Sequence, residues 1–138
     1  MTTAARQIRD LSREEALDRL GSISLGRIVF TRNALPEIRP VNHLLDGHAV
    51  IIRSHLGAAI VSAAAERGVV VAYEADNLDP VTHLGWSVIV TGTAYLIREP
   101  AAIAHYQQRL RPWIARDMDY VIAIGADLVT GIELTAIR

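Results

Sequence analysis

Apolar positions recur along the chain with two different periods, and these periods divide it into short elements. Leu11, Ala16, Leu17 and Leu20 have helical spacing. Ser12 and Glu15 stand at the spacing of a capping box, in which each side chain satisfies a backbone N–H of the other. A first helix is predicted there, with Gly21 as its C-terminal cap. Ser24 to Thr31 and Glu37 to Leu45 are rich in β-branched and apolar residues and read as strands, separated by a turn at Asn33 to Pro36. Asp46-Gly47 signals a tight hairpin into the strand Ala49 to Arg53. The Ala-rich stretch Gly57 to Glu66 reads as a short helix closed by Gly68. Val69 to Ala75 is a further strand, and Asp76 to Leu84 a loop. From Trp86 to Ile97 the pattern alternates: Val88, Val90, Ala94 and Leu96 face one way, Thr91, Thr93 and Tyr95 the other. Gly92 within it marks a bulge or bend. Pro100 opens a helix to about Leu110. Asp119 to Ile124 and Leu128 to Ile137 read as a closing hairpin.

About seven strands and three helices result, the strands joined mostly by tight turns. The expected class is mainly β with short helices: an antiparallel split β-barrel of six or seven strands flanked by two or three helices. Several strands are apolar on both faces, as in a closed barrel whose outside is packed by helices or a second subunit. One domain spanning 1–138 is expected, with 1–10 as a loose N-terminal arm.

Composition narrows the chemistry. The 138 residues contain no Cys and no Lys, so all 14 basic residues are Arg. Thiolate nucleophiles, zinc–thiolate sites, Schiff-base lysines and Walker A lysines are excluded. A net charge of -1 offers no broad basic surface for nucleic acid. No apolar run approaches a membrane span, and the polar start lacks a secretory signal, so a cytoplasmic protein is expected.

Arg53 ends an apolar strand, Ser54 follows, and a helix is predicted to begin at Gly57 and Ala58. A guanidinium beside helix-terminal N–H groups suits a phosphate. The alternative is a strand-end Arg paired with an acid or solvated. In Arg39-Pro40-Val41-Asn42-His43 the proline removes a ladder donor and marks an edge or bulge, leaving backbone groups for a flat heterocycle. Asn42 adds a donor and an acceptor. An ordinary edge strand is the plainer reading. Trp86, beside Ser87, either stacks on an aromatic ligand or plugs the core. Trp113 is either a core plug or a projection toward a partner. His43 and His48 flank the hairpin, but diagonally and without acidic support, so no metal site is expected. His43 alone reads as a polar contact or proton donor beside a ligand.

The ordered series Leu25-Gly26-Arg27-Ile28, Pro40-Val41-Asn42, Asp46-Gly47, Ile52-Arg53-Ser54 and Val71-Ala72-Tyr73-Glu74-Ala75-Asp76 resembles the pyridoxamine 5'-phosphate oxidase-like FMN-binding split-barrel family. Gly85-Trp86-Ser87-Val88, Pro112-Trp113 and Val129-Thr130-Gly131 continue the resemblance over nearly the whole chain. It implies a homodimer with FMN in a groove at the subunit interface. Pro40, Val41 and Asn42 would run along the isoalloxazine, with Arg53 and Ser54 on the phosphate. Trp86 and Ser87 would line the groove, and Trp113 would approach from the partner chain.

Two departures stand out. Ala59 occupies the place where many relatives carry a phosphate-binding Lys, and the strand Val121 to Ile124 lacks an Arg found in relatives. Two functions follow as expectations. One is an FMN-dependent oxidoreductase acting on a small molecule, with no catalytic residue assignable. The other is a non-catalytic module for flavin, a deazaflavin relative or another flat ligand. A vestigial groove without cofactor is a third. No separate basic cluster for a second phosphate is legible.

Overall fold

The computed structural model describes residues 6–55, 59–113 and 118–137. Its elements are β1 (Arg6–Asp10), α1 (Arg13–Gly21), β2 (Leu25–Arg32), β3 (Leu35–Asp46), β4 (Ala49–Ser54) and α2 (Ala59–Glu66). They continue with β5 (Val69–Leu78), β6 (Gly85–Leu96), α3 (Pro100–Arg109), β7 (Tyr120–Gly125) and β8 (Leu128–Ala136). All eight strands lie in one antiparallel sheet of order β1-β8-β6-β5-β2-β3-β4-β7, and an additional β6–β7 pairing closes six of them into a barrel.

Closure depends on β6. Gly85 to Thr91 pair with β8, whereas Ala94 to Leu96 pair with β7. The change of partner falls at Gly92, where a Cβ would lie 1.7 Å from the Gly125 carbonyl oxygen. Glycine is therefore needed for close backbone approach. This corrects the expected closing hairpin: β7 and β8 do not pair with each other but share β6 between them.

Local chemistry sets the other elements. The Ser12–Glu15 capping box forms as predicted: the Glu15 N–H donates to Ser12 Oγ at 3.1 Å and the Ser12 N–H to Glu15 Oε1 at 3.0 Å. Gly21 is the last helical residue, and Ser22 is the C-cap in its place. Asn33 and Ala34, with φ of 52° and 64°, make a two-residue turn between β2 and β3. Ala34 bears the left-handed conformation at a steric cost of roughly 1–2 kcal/mol. At the next hairpin the central residues are Gly47 and His48, one position later than expected, because Asp46 still pairs with Ala49. Gly47 supplies the positive φ of 60°.

Two further expectations change. Arg6 to Asp10 form a strand on β8, in place of a loose arm, held at the sheet edge by the Arg9–Glu133 ion pair. β5 runs on to Leu78, since Asp76 and Asn77 still pair with Ser87 and Trp86. Polar side chains on an outer face do not interrupt a ladder, so composition alone overstated that loop.

The barrel interior is filled by Ile28, Phe30, Val50, Ile52, Val71, Tyr73, Val88, Val90, Ile122 and Ile124, and α1 buries Ala16, Leu17 and Leu20 against it. A smaller cluster, Ile51, Leu110 and Val121, seats α3 on the outside of β4 and β7. Among the described residues, no helix is long and apolar enough to cross a membrane.

Gly92→Ala is expected to destabilise by about 3 kcal/mol or more, because backbone must move. Gly47→Ala, with open space around the added methyl, is expected to lose only about 1–2 kcal/mol. Urea unfolding of the two variants tests the order; equal losses would remove Gly92 from its role in closure.

Candidate functional site

β3 is twelve residues long, yet only His43 to Asp46 pair with β4. Among the described residues Leu35 to Asn42 pair with β2 alone, so no described strand lies on the second edge of this half. Pro40 lies in it, where a missing N–H disturbs no ladder. Two adjoining cavities open along this edge and share Pro40, Val41, Arg53 and Met118.

The larger cavity, about 410 Å³, lies on the inner side of the β2–β3 hairpin. Ile28, Phe30, Ile52 and Ile60 form its apolar floor, and Ser54, His55 and Ala59 its wall toward α2. The smaller, about 190 Å³, lies on the side of α3 and is lined by Leu25, Asn42, Pro112 and Trp113. Trp113 is 63% exposed, with an open face to the solvent.

Arg53 stands between the two. Its side chain leaves β4 on the face of Ile51 and closes the C-terminal end of α3. Nε donates to the Met118 carbonyl at 2.8 Å, and Nη1 donates to Leu110 at 2.9 Å and Gln107 at 3.4 Å. A cation at a helix C-terminus is favourable, since unsatisfied carbonyls gather there. The partner is thus neither the acid nor the solvent of the plainer reading, but main-chain oxygen. Burial lowers the guanidinium's proton affinity, as does nearby Arg111, while Asp119 raises it. The carbonyls hold Nε and Nη1, and Nη2 has no hydrogen bond to a described residue. The Ser54 hydroxyl likewise has no such partner, although Ser54 is buried at the cavity wall.

The structure brings Pro40, Val41, Asn42, Arg53, Ser54, Ala59 and Trp113 to these cavities. The Asn42 amide donates to the Arg111 carbonyl at 2.9 Å, which ties β3 to the segment after α3. Trp86, 8% exposed, packs in the barrel core, and neither it nor Ser87 lines either cavity. Ala58 lies outside the described residues, as does the expected helix start at Gly57. Arg32, Glu37 and Arg39, missed in the sequence, also line the larger cavity. Their signal was the two-residue turn at Asn33-Ala34, which fixes the register and puts alternate side chains of both strands on the inner side.

His43 lines neither cavity. It has the inward parity of Val41 but lies deeper, opposite Ile52, at 3% exposure. Nε2 donates to the Leu20 carbonyl at 2.9 Å, and Nδ1 accepts from the Tyr73 hydroxyl at 2.6 Å. The same hydroxyl is 3.0 Å from the Val41 carbonyl. Burial lowers the His43 pKa below its ordinary 6.5, against the raising effect of the Leu20 carbonyl, and burial pushes Tyr73 up. Both groups therefore stay neutral, and the Tyr73 hydroxyl, with one proton for His43 Nδ1 and the Val41 carbonyl to share, lies close behind Val41. Gly26 makes room for it, since a Cβ there would lie 2.6 Å from the Tyr73 ring. Among the described residues, no group of three or more His, Cys, Asp or Glu is placed to hold a metal.

The sign of the pH effect follows from the lowered pKa. Unfolded His43 takes up a proton near pH 6.5 while the buried ring resists, so stability is full above that pH and is lost as pH falls through the window below it. Between pH 7 and 5 the urea midpoint of the native protein is expected to fall more than that of His43→Gln; parallel profiles would refute this. Tyr73→Phe, which leaves Nδ1 without a donor, is expected to destabilise by about 1–3 kcal/mol.

The family described as Pyridoxamine 5'-phosphate oxidase matches residues 12–138. Uncharacterized protein Rv0080 of Mycobacterium tuberculosis is 50% identical over 136 residues, covering 96% of this chain and 90% of its own. A solved structure from Corynebacterium glutamicum ATCC 13032 is 34% identical, covers 95% of this chain and 96% of its own, and superposes with a TM-score of 0.76. The FAD binding protein from Mycobacterium smegmatis is 31% identical, with coverage of 92% and 98% and a TM-score of 0.71.

Proposed function

Because the chain belongs to the pyridoxamine 5'-phosphate oxidase family, we propose that it binds a flavin, FMN in the minimal case, and works as an oxidoreductase on a small molecule. The observation that carries this reading is Arg53, fixed by carbonyls of α3 and Met118 between two cavities that share the Pro40–Val41 edge. Nη2 of Arg53 and the Ser54 hydroxyl suit a phosphate, while Pro40, Val41 and Asn42 offer a strand edge for a flat ring. Apolar walls and a few polar groups are the usual composition of a cofactor site. The flavin supplies hydride or electron transfer; the chain supplies position and exclusion of water. The M. smegmatis neighbour supports the class of ligand.

A second reading, flavin or deazaflavin binding without turnover, draws on Ala59, which puts an uncharged methyl at the cavity wall. Losing one charge-assisted contact weakens binding by about 1.5–3 kcal/mol, roughly ten- to a hundredfold. Steady turnover with a nicotinamide donor would exclude that reading.

The reading includes a homodimer. Val70, Ile89, Leu128 and Ile8 are exposed on the outer face of β5, β6, β8 and β1. Exposed apolar side chains that share one sheet face suit an interface. A second subunit there would also supply groups to complete the open side of the groove at Trp113.

Fluorescence titration with FMN and riboflavin tests the phosphate role. Arg53→Ala is expected to weaken FMN about ten- to a hundredfold and to leave riboflavin, which has no phosphate, unchanged. Equal affinity for FMN would overturn it. Val70→Asp with Ile89→Asp is expected to halve the mass seen by light scattering; an unchanged mass removes this face as the interface.

A further inference from the structure

The larger cavity holds more positive charge than one phosphate requires. Arg32 and Arg39 stand at its outer end, on the opposite side from Ser54 and His55. Their placement is a consequence of register. Gly26, Ile28 and Phe30 face inward on β2, and Arg32 continues that parity beyond the core. On β3, Val41, Arg39 and Glu37 share the inward face, with Arg39 opposite Ile28 and Glu37 opposite Phe30. The tight turn at Asn33-Ala34 allows no slip, so both guanidinium groups reach the same concavity.

Between them they have one carboxylate. Glu37 accepts from Arg39 at 3.3 Å and lies 3.9 Å from Arg32; Arg39 also donates to the Ile38 carbonyl at 3.0 Å. The arginines are largely exposed, so these pairs are weak and easily exchanged. One net positive charge is left above a floor of Ile28, Phe30, Ile52 and Ile60. A cation over low-dielectric walls in a cleft draws anions more strongly than the same cation on a convex surface. Arg39 is two residues from Val41 on the same face, about 7 Å along the strand. Arg53 lines the same cavity, so the hairpin arginines and Arg53 border one groove.

We propose that Arg32 and Arg39 form a second anion subsite that holds the distal phosphate of a flavin dinucleotide, so that the groove favours FAD over FMN. This rests on the flavin reading and sharpens it: Arg53 and the Pro40–Val41 edge serve the flavin half, and the hairpin serves the nucleotide half. Glu37 holds the two arginines in place until a phosphate takes over one of them.

The test compares FAD, FMN and ADP on the full chain, in the native protein and in Arg32→Gln/Arg39→Gln. Native protein is expected to bind FAD at least about tenfold more tightly than FMN. The double variant is expected to lose about ten- to a hundredfold in FAD affinity and to keep its FMN affinity, which also reports an intact fold. Unchanged FAD affinity in the double variant, or an equal loss for FMN, overturns the subsite. Should neither flavin bind, the flavin reading falls, and the subsite is then decided by ADP in calorimetry. ADP binding lost in the double variant sustains an anion site for nucleoside diphosphates; no ADP binding, or binding equal in both proteins, overturns it.

Discussion

The architecture depends on the contact between Gly92 and Gly125, where β6 leaves one neighbour and takes another. Because a Cβ at 92 would lie inside bonding range of the Gly125 oxygen, β7 can approach and close the barrel. β8 meanwhile keeps the other end of β6 and carries β1 at the sheet edge. Closure uses only the Leu45 side of β3 against β4. The rest of β3 projects with β2 as a hairpin that has an unpaired edge, and both cavities lie along that edge. Pro40 fits there because that half of the strand has no second neighbour.

The groove is held from two directions. Behind it, His43 bonds the Leu20 carbonyl at the end of α1 and meets the Tyr73 hydroxyl, which also lies 3.0 Å from the Val41 carbonyl of the inner wall. Beside it, Arg53 joins β4 to the C-terminal end of α3 and to Met118, and Asn42 joins β3 to Arg111. Such preorganisation would serve the proposed phosphate site in a chain without Lys. Arg presents a planar fork, and fixing Nε and Nη1 on carbonyls removes most of the rotamer freedom that binding would otherwise have to restrict.

Much of the fold was legible in the sequence because its signals are local. The capping box at Ser12–Glu15, the alternation through β6 and Pro100 at the start of α3 each act within a few residues, and each formed. What was misread depends on distant partners. The strand at Arg6 to Asp10 exists because β8 offers an edge, and β5 extends past its polar end because β6 continues opposite. The supposed β7–β8 hairpin failed because β6 is long enough to take both. The same division holds for the site. Pro40, Val41, Asn42 and Arg53, singled out by residue type at strand ends and edges, line the two cavities. His43 read as a polar contact or proton donor beside a ligand until its depth in the barrel was known, and Trp86 turned inward with Val88 and Val90. Arg32 and Arg39 looked like scattered charges until the turn between them set the register.

The outer face of the same sheet shows how the fold separates its tasks. Among exposed Val70, Ile89 and Leu128, one polar group stands out: Arg27 lies 3.3 Å from Glu74 and 3.7 Å from Asp76. Burial, together with the hydrogen bond and negative charge of Asp76, raises the Glu74 pKa to about 7, more than Arg27 lowers it. One cation thus faces two carboxyl groups, one of them near the middle of its titration at neutral pH, so the cluster carries less negative charge than two free carboxylates. A surface that neutralises its own acids in this way is ready to leave water against another apolar face. On the inner side of the hairpin the ratio is reversed, with Arg32 and Arg39 sharing Glu37. The arrangement of β2, β3 and β5 therefore places the excess cation inside, at the cavity, and a cluster of reduced charge outside, at the flat face. The inner side of these three strands, and not the outer cluster, therefore offers an anion a net cation.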